Sequence, residues 1–269
     1  MSLDGLPPLR EILAAAGISA KKSFGQHFLL DLNVTRKIAR LAGIGAGDMV
    51  IEVGPGPGGL TRALLETGAG VVAVEKDARF IPLLVELAGH AAGRLEVINE
   101  DALTATLPAG APIVANLPYN VATPLLIGWL TGPLRPPSMT LMFQKEVADR
   151  IVAAPGSKTY GRLSVLTQAL AEARIVMELP ARAFTPPPKV ASAVVQLTPR
   201  PDRAADEMIE RLQRLTAAAF GQRRKMLRSS LKPLGGEALC AVIGLDASQR
   251  AEDVTVAQYV KMAEALNAL

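Results

Sequence analysis

Between residues 49 and 143, short apolar runs alternate with stretches whose apolar residues recur at helical spacing. The runs Met49–Val53, Val71–Glu75, Leu95–Ile98, Ile113–Ala115 and Thr140–Phe143 are predicted as strands. Leu60, Leu64 and Leu65, then Phe80, Leu83, Leu84 and Leu87, mark the buried faces of helices between them. Strands separated by helices imply βαβ units, hence an α/β fold with a mostly parallel sheet covered on both faces. Arg174–Leu179 and Ser192–Leu197 are two further strand-like runs with no convincing helix between them. They are predicted as an antiparallel pair at the sheet edge. After the linker-like Pro199-Arg-Pro-Asp-Arg203 the pattern is helical only, over Ala204–Phe220, Glu237–Ile243 and Val256–Leu269. That shift predicts an α/β domain over residues 1–200 and a small helical domain over 201–269.

Composition narrows the class. The chain has 269 residues, 49% apolar and 20% charged, enough to bury a core without disulfide or metal staples. Its one cysteine, Cys240, forms no intramolecular disulfide, and with two histidines it makes no zinc cluster, so no metal is expected. No apolar run reaches the ~18 residues that span a bilayer. The start, Met1-Ser2-Leu3-Asp4-Gly5, carries an early acid and lacks the basic lead of a signal peptide. A soluble cytoplasmic protein without a membrane partner is expected, and nothing requires more than a monomer. The net charge of +4 is only mildly basic. Its location is more informative: Arg223, Arg224, Lys225, Arg228 and Lys232 fall in one stretch without an acid. Such a run is either a solvated helix face or a grip on phosphates.

Candidate chemistry begins at Val50-Ile-Glu-Val-Gly-Pro-Gly-Pro-Gly-Gly59, a strand entering a glycine-rich turn and then a helix. Gly54, Gly56 and Gly59 satisfy G-x-G-x-x-G, and Glu75 ends the next strand about 20 residues beyond, the spacing of an acid that binds ribose hydroxyls. The pattern alone does not separate a nicotinamide dinucleotide from another adenosine-bearing ligand. Two residues favour S-adenosyl-L-methionine. Glu52, inside the strand, is poor company for a pyrophosphate but suits the ammonium of a methionine moiety. Asp101, after the third strand, is placed to accept from an adenine amine, or else to cap a helix.

Asn116-Leu117-Pro118-Tyr119 follows the fourth strand. It resembles the signature of amino-methyltransferases, Asn or Asp followed by x-Pro-aromatic. An adenine N6 lone pair is delocalised into the ring, so the nitrogen is a feeble nucleophile. The Asn116 side-chain oxygen and the Leu117 or Pro118 carbonyl can each accept one of its N–H groups and draw it toward a pyramidal geometry. Tyr119 can stack on the base and hold it out of its helix.

Six segments then appear in order: Lys22-Ser-Phe-Gly-Gln-His-Phe-Leu29, Asn116–Tyr119, Gln144-Lys-Glu-Val147, Tyr160-Gly-Arg-Leu-Ser164, Phe184-Thr-Pro-Pro-Pro-Lys-Val190 and Phe220-Gly-Gln-Arg-Arg-Lys225. Together they resemble the bacterial small-subunit (16S) ribosomal RNA adenine N6,N6-dimethyltransferases of the KsgA type, from about Lys22 to Tyr259. The resemblance implies a Rossmann-like methyltransferase domain with a small helical RNA-binding domain. It implies dimethylation of two neighbouring adenosines near the 3′ end of small-subunit RNA, with that RNA or the pre-30S particle as partner, late in assembly. It assigns His27, Leu29, Gly54, Glu75, Asp101 and Asn116 to S-adenosyl-L-methionine. The reading of the strand and its glycine-rich turn adds Glu52 and Gly56. His27 departs from the family, which usually has Asn there, so its contact runs through either backbone or side chain. Phe184 either covers the core or stacks on the target adenine opposite Tyr119. Arg223, Arg224, Lys225 and Arg228 would grip RNA phosphates.

Rival readings fit less well. The related macrolide-resistance methyltransferases, which act on large-subunit RNA, usually carry Asn-Ile-Pro-Tyr and lack the Phe184–Val190 loop. A DNA adenine methyltransferase would need a base-recognition domain for which few residues remain. A non-catalytic RNA-binding protein would be signalled by loss of Asn116 or of the glycine loop, and both are intact. A nicotinamide oxidoreductase lacks any catalytic constellation beyond the loop.

Overall fold

In the computed structural model, residues 3, 5–20, 25–202, 204–222 and 224–266 are described. Their strands are β1 (Phe28–Leu29), β2 (Met49–Val53), β3 (Gly70–Val74), β4 (Leu95–Ile98), β5 (Ile113–Asn116), β6 (Met139–Gln144), β7 (Ala171–Leu179), β8 (Phe184–Thr185) and β9 (Ser192–Pro199). Seven of them form one sheet in the order β4-β3-β2-β5-β6-β9-β7. The pairs from β4 through β6 are parallel, and β9 runs antiparallel to β6, with Met139 opposite Leu197 and Gln144 opposite Ser192. The two late runs do lie side by side at the edge, as β9 and β7. The sequence pattern did not predict the separate ribbon of β1 and β8, in which Phe28 faces Thr185 and Leu29 faces Phe184. Two residues per strand are too few to show a period.

The chain order reverses direction across the sheet between β2 and β5. Ligands of open α/β sheets bind at such a switch point, beyond the carboxyl ends of the strands. Two features fix the local geometry there. Gly54 leaves β2 with φ +70°, a left-handed conformation that side chains strain to adopt. Gly59 opens the helix Gly59–Glu66 so close to β1 that a Cβ would stand 2.6 Å from the Leu29 carbonyl oxygen. That helix is buried from Gly59 to Leu65, and its Leu64 is fully enclosed with Val50, Val71 and Val114 of the sheet. The next element after β1, the helix Leu32–Ala42, is started by the Asp31 carboxylate accepting from the Asn33 N–H at 2.8 Å and closed by Gly43 in a left-handed conformation.

The residues divide into two compact units, 1–148 with 174–198, and 149–173 with 199–269. The second therefore includes 149–173, which the sequence pattern assigned to the α/β domain of 1–200. The physical reason is an aromatic knot. Tyr160 is fully buried and donates to the Val254 carbonyl at 2.9 Å, and Tyr259 donates to the Ala251 carbonyl at 2.8 Å. Phe220 lies between them, its ring 6.1 Å from that of Tyr160 and 5.7 Å from that of Tyr259. Burial pushes the Tyr160 phenol up to about 12, so it stays a donor at any physiological pH. Periodicity within 149–173 carries no trace of this long-range contact. Around the knot run the helices Arg162–Leu170, Asp206–Gly221, Gly236–Val242 and Val256–Ala265.

The close approach at Gly59 has a measurable consequence. Gly59→Ala forces backbone apart and lowers stability by about 1–3 kcal/mol, seen as a lower urea midpoint. Gly89, in the helix Ile81–His90, has open space where a Cβ would stand. Gly89→Ala therefore raises stability, by about 0.5–1 kcal/mol.

Candidate functional site

At the carboxyl ends of β2, β3 and β5 the first unit contains a cavity. It is walled by Glu52, Gly54, Gly56, Glu75, Asp101 and the run Asn116–Tyr119, with His27 and Leu29 supplied by β1 and the residue before it. Every residue that the sequence assigned to cofactor binding thus meets in one place. So do four of the five assigned to catalysis.

The cavity is acidic. Five carboxylates line it (Glu52, Glu75, Asp77, Glu100 and Asp101) against one ammonium, that of Lys76. Each buried acid is handled differently. Asp77 accepts from Arg79 and from the Gln26 amide at 2.9 Å, and the Arg79 contact holds its carboxyl down at about 2. Glu75 accepts the Gly56 N–H at 3.0 Å and the Asp77 N–H at 2.7 Å, which ties the glycine turn to the end of β3. Burial still raises its pKa, those bonds offsetting part of the effect. Each Glu75 oxygen keeps a second lone pair, enough to accept from a ribose diol. Asp101 pairs with Lys76 at 2.7 Å, and that contact lowers its pKa.

Glu52 is the exception. It is 1% exposed, and its Oε2 has no hydrogen-bond partner among the described residues. Burial pushes it up to about 8, with Thr61 offsetting only part. A lone carboxyl at the floor of a cavity matches a cationic ligand group. A pyrophosphate would be disfavoured beside these carboxylates, so the donor set fits an adenosine bearing an ammonium better than a dinucleotide.

Asn116 ends β5. Its Nδ2 donates to the His27 carbonyl at 3.2 Å. A carbonyl oxygen only accepts, so this contact fixes the amide's orientation and leaves Oδ1 as the free acceptor. The Pro118 carbonyl already accepts from Val121 and Ala122, both at 3.1 Å. Of the two carbonyls expected from sequence to accept from the target amine, that of Pro118 is thus engaged within the protein, and that of Leu117 has no such backbone donor among the described residues. Tyr119 is held at two points. Its hydroxyl meets Ser192 Oγ at 2.6 Å, and its ring stacks on His27 with centroids 5.4 Å apart. The His27 Nδ1 in turn lies 2.7 Å from the Pro186 carbonyl, which requires a proton on that nitrogen.

Of the two places expected for Phe184, the core and the target adenine, it occupies the core. It is 3% exposed and belongs to the apolar cluster with Leu29, Leu179 and Val194, because pairing of β8 with β1 turns it into the core. It does not line the cavity, and the ring stacked on Tyr119 is that of His27 instead. Arg224, Lys225 and Arg228 are exposed and belong to the second unit, at the start of the helix Leu227–Ser230 and just before it. Arg223 lies outside the described residues. Sequence reasoning missed Ser192, Gln26 and Lys76, since each acts through a partner far along the chain.

A family model described as ribosomal RNA adenine dimethylase matches residues 17–268. The chain is 67% identical over 270 residues to the ribosomal RNA small subunit methyltransferase A of Phenylobacterium zucineum, covering 98% of this chain and 94% of that one. The protein of the same name from Caulobacter vibrioides is 67% identical over 250 residues, covering 91% and 97%. Among solved structures, a dimethyladenosine transferase from Plasmodium falciparum shares the fold, with a TM-score of 0.78 at 24% identity over 90% of this chain and 98% of that one. The 23S rRNA methyltransferase ErmE gives 0.68 at 28% identity over 89% and 99%. With a match that runs almost end to end, the chain belongs to the ribosomal RNA adenine dimethylase family.

Proposed function

We propose that this methyltransferase dimethylates the N6 amines of two adjacent adenosines near the 3′ end of small-subunit ribosomal RNA, late in assembly of that subunit. The carrying observation is the oriented Asn116 amide, which presents an acceptor where an exocyclic amine has to be held. The small-subunit target is favoured over the large one by identity of 67% to a small-subunit enzyme, against 28% to ErmE.

When bound, S-adenosyl-L-methionine supplies an electrophilic methyl group on a sulfonium. Glu52 would hold its ammonium, Glu75 its ribose and Asp101 its adenine, with Gly54, Gly56, His27 and Leu29 shaping the walls. Asn116 Oδ1 and the Leu117 carbonyl each accept one N–H of the target amine, so its lone pair leaves conjugation with the ring. Pro118 keeps the backbone rigid between them. Tyr119, braced by Ser192 and His27, offers a ring face for the extruded base. The nitrogen that gains the methyl becomes cationic and then releases one proton to water, so orientation of its lone pair matters more than a strong base. The first transfer engages both acceptors; the monomethylated amine has one N–H left and engages one. Arg224, Lys225 and Arg228, and Arg223 with them, would contact RNA phosphates.

The direct test is transfer from labelled S-adenosyl-L-methionine to unmethylated small subunits, large subunits and duplex DNA, with nucleosides identified by mass. N6,N6-dimethyladenosine from small subunits alone is the expected product; label on large subunits would overturn the target. Asn116→Ala should lower the single-turnover rate by about 10²–10³, with a far smaller change in cofactor affinity. Cofactor affinity should also depend on pH. Glu52 is protonated below about 8 in the free protein, and an ammonium favours its ionised form. Affinity for S-adenosylhomocysteine therefore rises as pH approaches 8, by up to about tenfold per unit, and Glu52→Gln flattens the profile. The same raised carboxyl gives the ligand-free protein stability that is full below 4.5 and lost as pH rises to about 8, a loss absent in Glu52→Gln. Changing Arg224, Lys225 and Arg228 together to Gln should weaken RNA binding and flatten its salt dependence, leaving cofactor affinity alone.

A further inference from the structure

A second cavity, of about 530 Å³, opens in the first unit. It shares the β1–β8 ribbon with the methyl-transfer cavity. Phe28 and Leu29 line the first cavity, the next residues Leu30, Asp31 and Leu32 line the second, and Thr185, paired with Phe28, lines it from β8. A volume of this size is in the range of sites for ligands as large as a nucleotide.

Its polar equipment is mostly cationic. Arg10, Arg62 and Arg182 all line it, against the single carboxylate of Asp31. One Asp31 oxygen is already used to cap the following helix. Arg62 is unusual for its type. It sits in the middle of the helix Gly59–Glu66 and is 5% exposed, and its Nη1 donates to the Pro7 carbonyl at 2.9 Å. Its Nε is buried without a partner among the described residues. Enclosing a guanidinium and leaving a donor unused is unfavourable unless an acceptor arrives. Arg10 and Arg182 are exposed, and neither side chain makes a hydrogen bond or ion pair among the described residues. Three guanidinium forks with spare donors, on one cavity with an apolar wall of Leu6, Pro8 and Val34, match a phosphate attached to a flat or apolar body.

We propose that this cavity seats a backbone phosphate of the RNA substrate, gripped by Arg10, Arg62 and Arg182 across the β1–β8 ribbon from the reacting amine. The inference rests on the RNA-modifying function above. It adds a contact in the first unit to the basic stretch of the second. The ribbon leads directly from His27, whose carbonyl orients Asn116, so the phosphate would brace the strand beside the reaction.

The test uses the full chain with Arg10→Gln and Arg182→Gln combined. Both side chains are exposed and unengaged, so the fold is kept, and unchanged S-adenosylhomocysteine affinity checks this. Binding of a labelled single-stranded oligoribonucleotide should weaken about tenfold. KM for small subunits should rise by a similar factor, with kcat within twofold. Arg62→Lys, which keeps the charge but loses the Nε donor and the fork, should also raise KM. Unchanged RNA affinity and KM in the double variant would overturn the proposal. So would a result in which inorganic phosphate raises the wild-type melting temperature, the double variant loses that rise, and RNA affinity stays the same; the cavity would then serve free phosphate. Because RNA binding is read without turnover, absence of methyl transfer in the wild type would count against the proposed reaction and not against this site.

Discussion

Burying carboxylates close together at the end of an apolar sheet is unfavourable, and the cavity at the β2–β5 switch point depends on how that is offset. Asp77 is neutralised by Arg79 and accepts a further hydrogen bond from the Gln26 amide, and Glu75 is held by two backbone N–H groups. Asp101 has Lys76. Glu52, the most enclosed of the four, has an oxygen with no partner. The fold therefore keeps one carboxyl uncompensated, and it does so where a cationic ligand group would be most strongly favoured. The bonds that stabilise Glu75 also set the shape of the glycine turn, so satisfying one acid and building the ligand cradle are a single arrangement.

The same economy governs the reacting side. The His27 carbonyl orients the Asn116 amide, the Pro118 carbonyl is consumed by the turn into the helix Ala122–Thr131, and one side-chain and one backbone acceptor remain. Ser192, the first residue of β9, anchors the Tyr119 hydroxyl. The antiparallel edge of the sheet thus positions Tyr119 besides closing the core.

Much of this was legible in the sequence because it is local. The glycine turn, Glu75 at its spacing and Asn116–Tyr119 at a strand end follow from short-range backbone requirements and from hydrogen-bonding chemistry. The seven strands of the main sheet followed from periodicity. What stayed hidden depends on contacts between distant segments. Phe184 looks the same in sequence whether it faces a ligand or the core, and only its pairing with Leu29 decides. Tyr160 carries no local sign that it belongs with Phe220 and Tyr259, so the division of the chain was drawn too simply. Arg62 is likewise buried against the Pro7 carbonyl by a contact between distant segments that leaves no local sign in the sequence.

The proposed reaction requires the methyl donor in the carboxylate-lined cavity, with Asn116 Oδ1 turned toward the reacting atoms. A crystal structure of the protein with S-adenosylhomocysteine tests it most directly. The ligand's ammonium is expected beside Glu52, its ribose on Glu75 and its adenine near Asp101, with the Asn116 Nδ2 still bonded to the His27 carbonyl. A ligand bound elsewhere, or an Asn116 amide rotated so that Nδ2 faces the ligand, would contradict it.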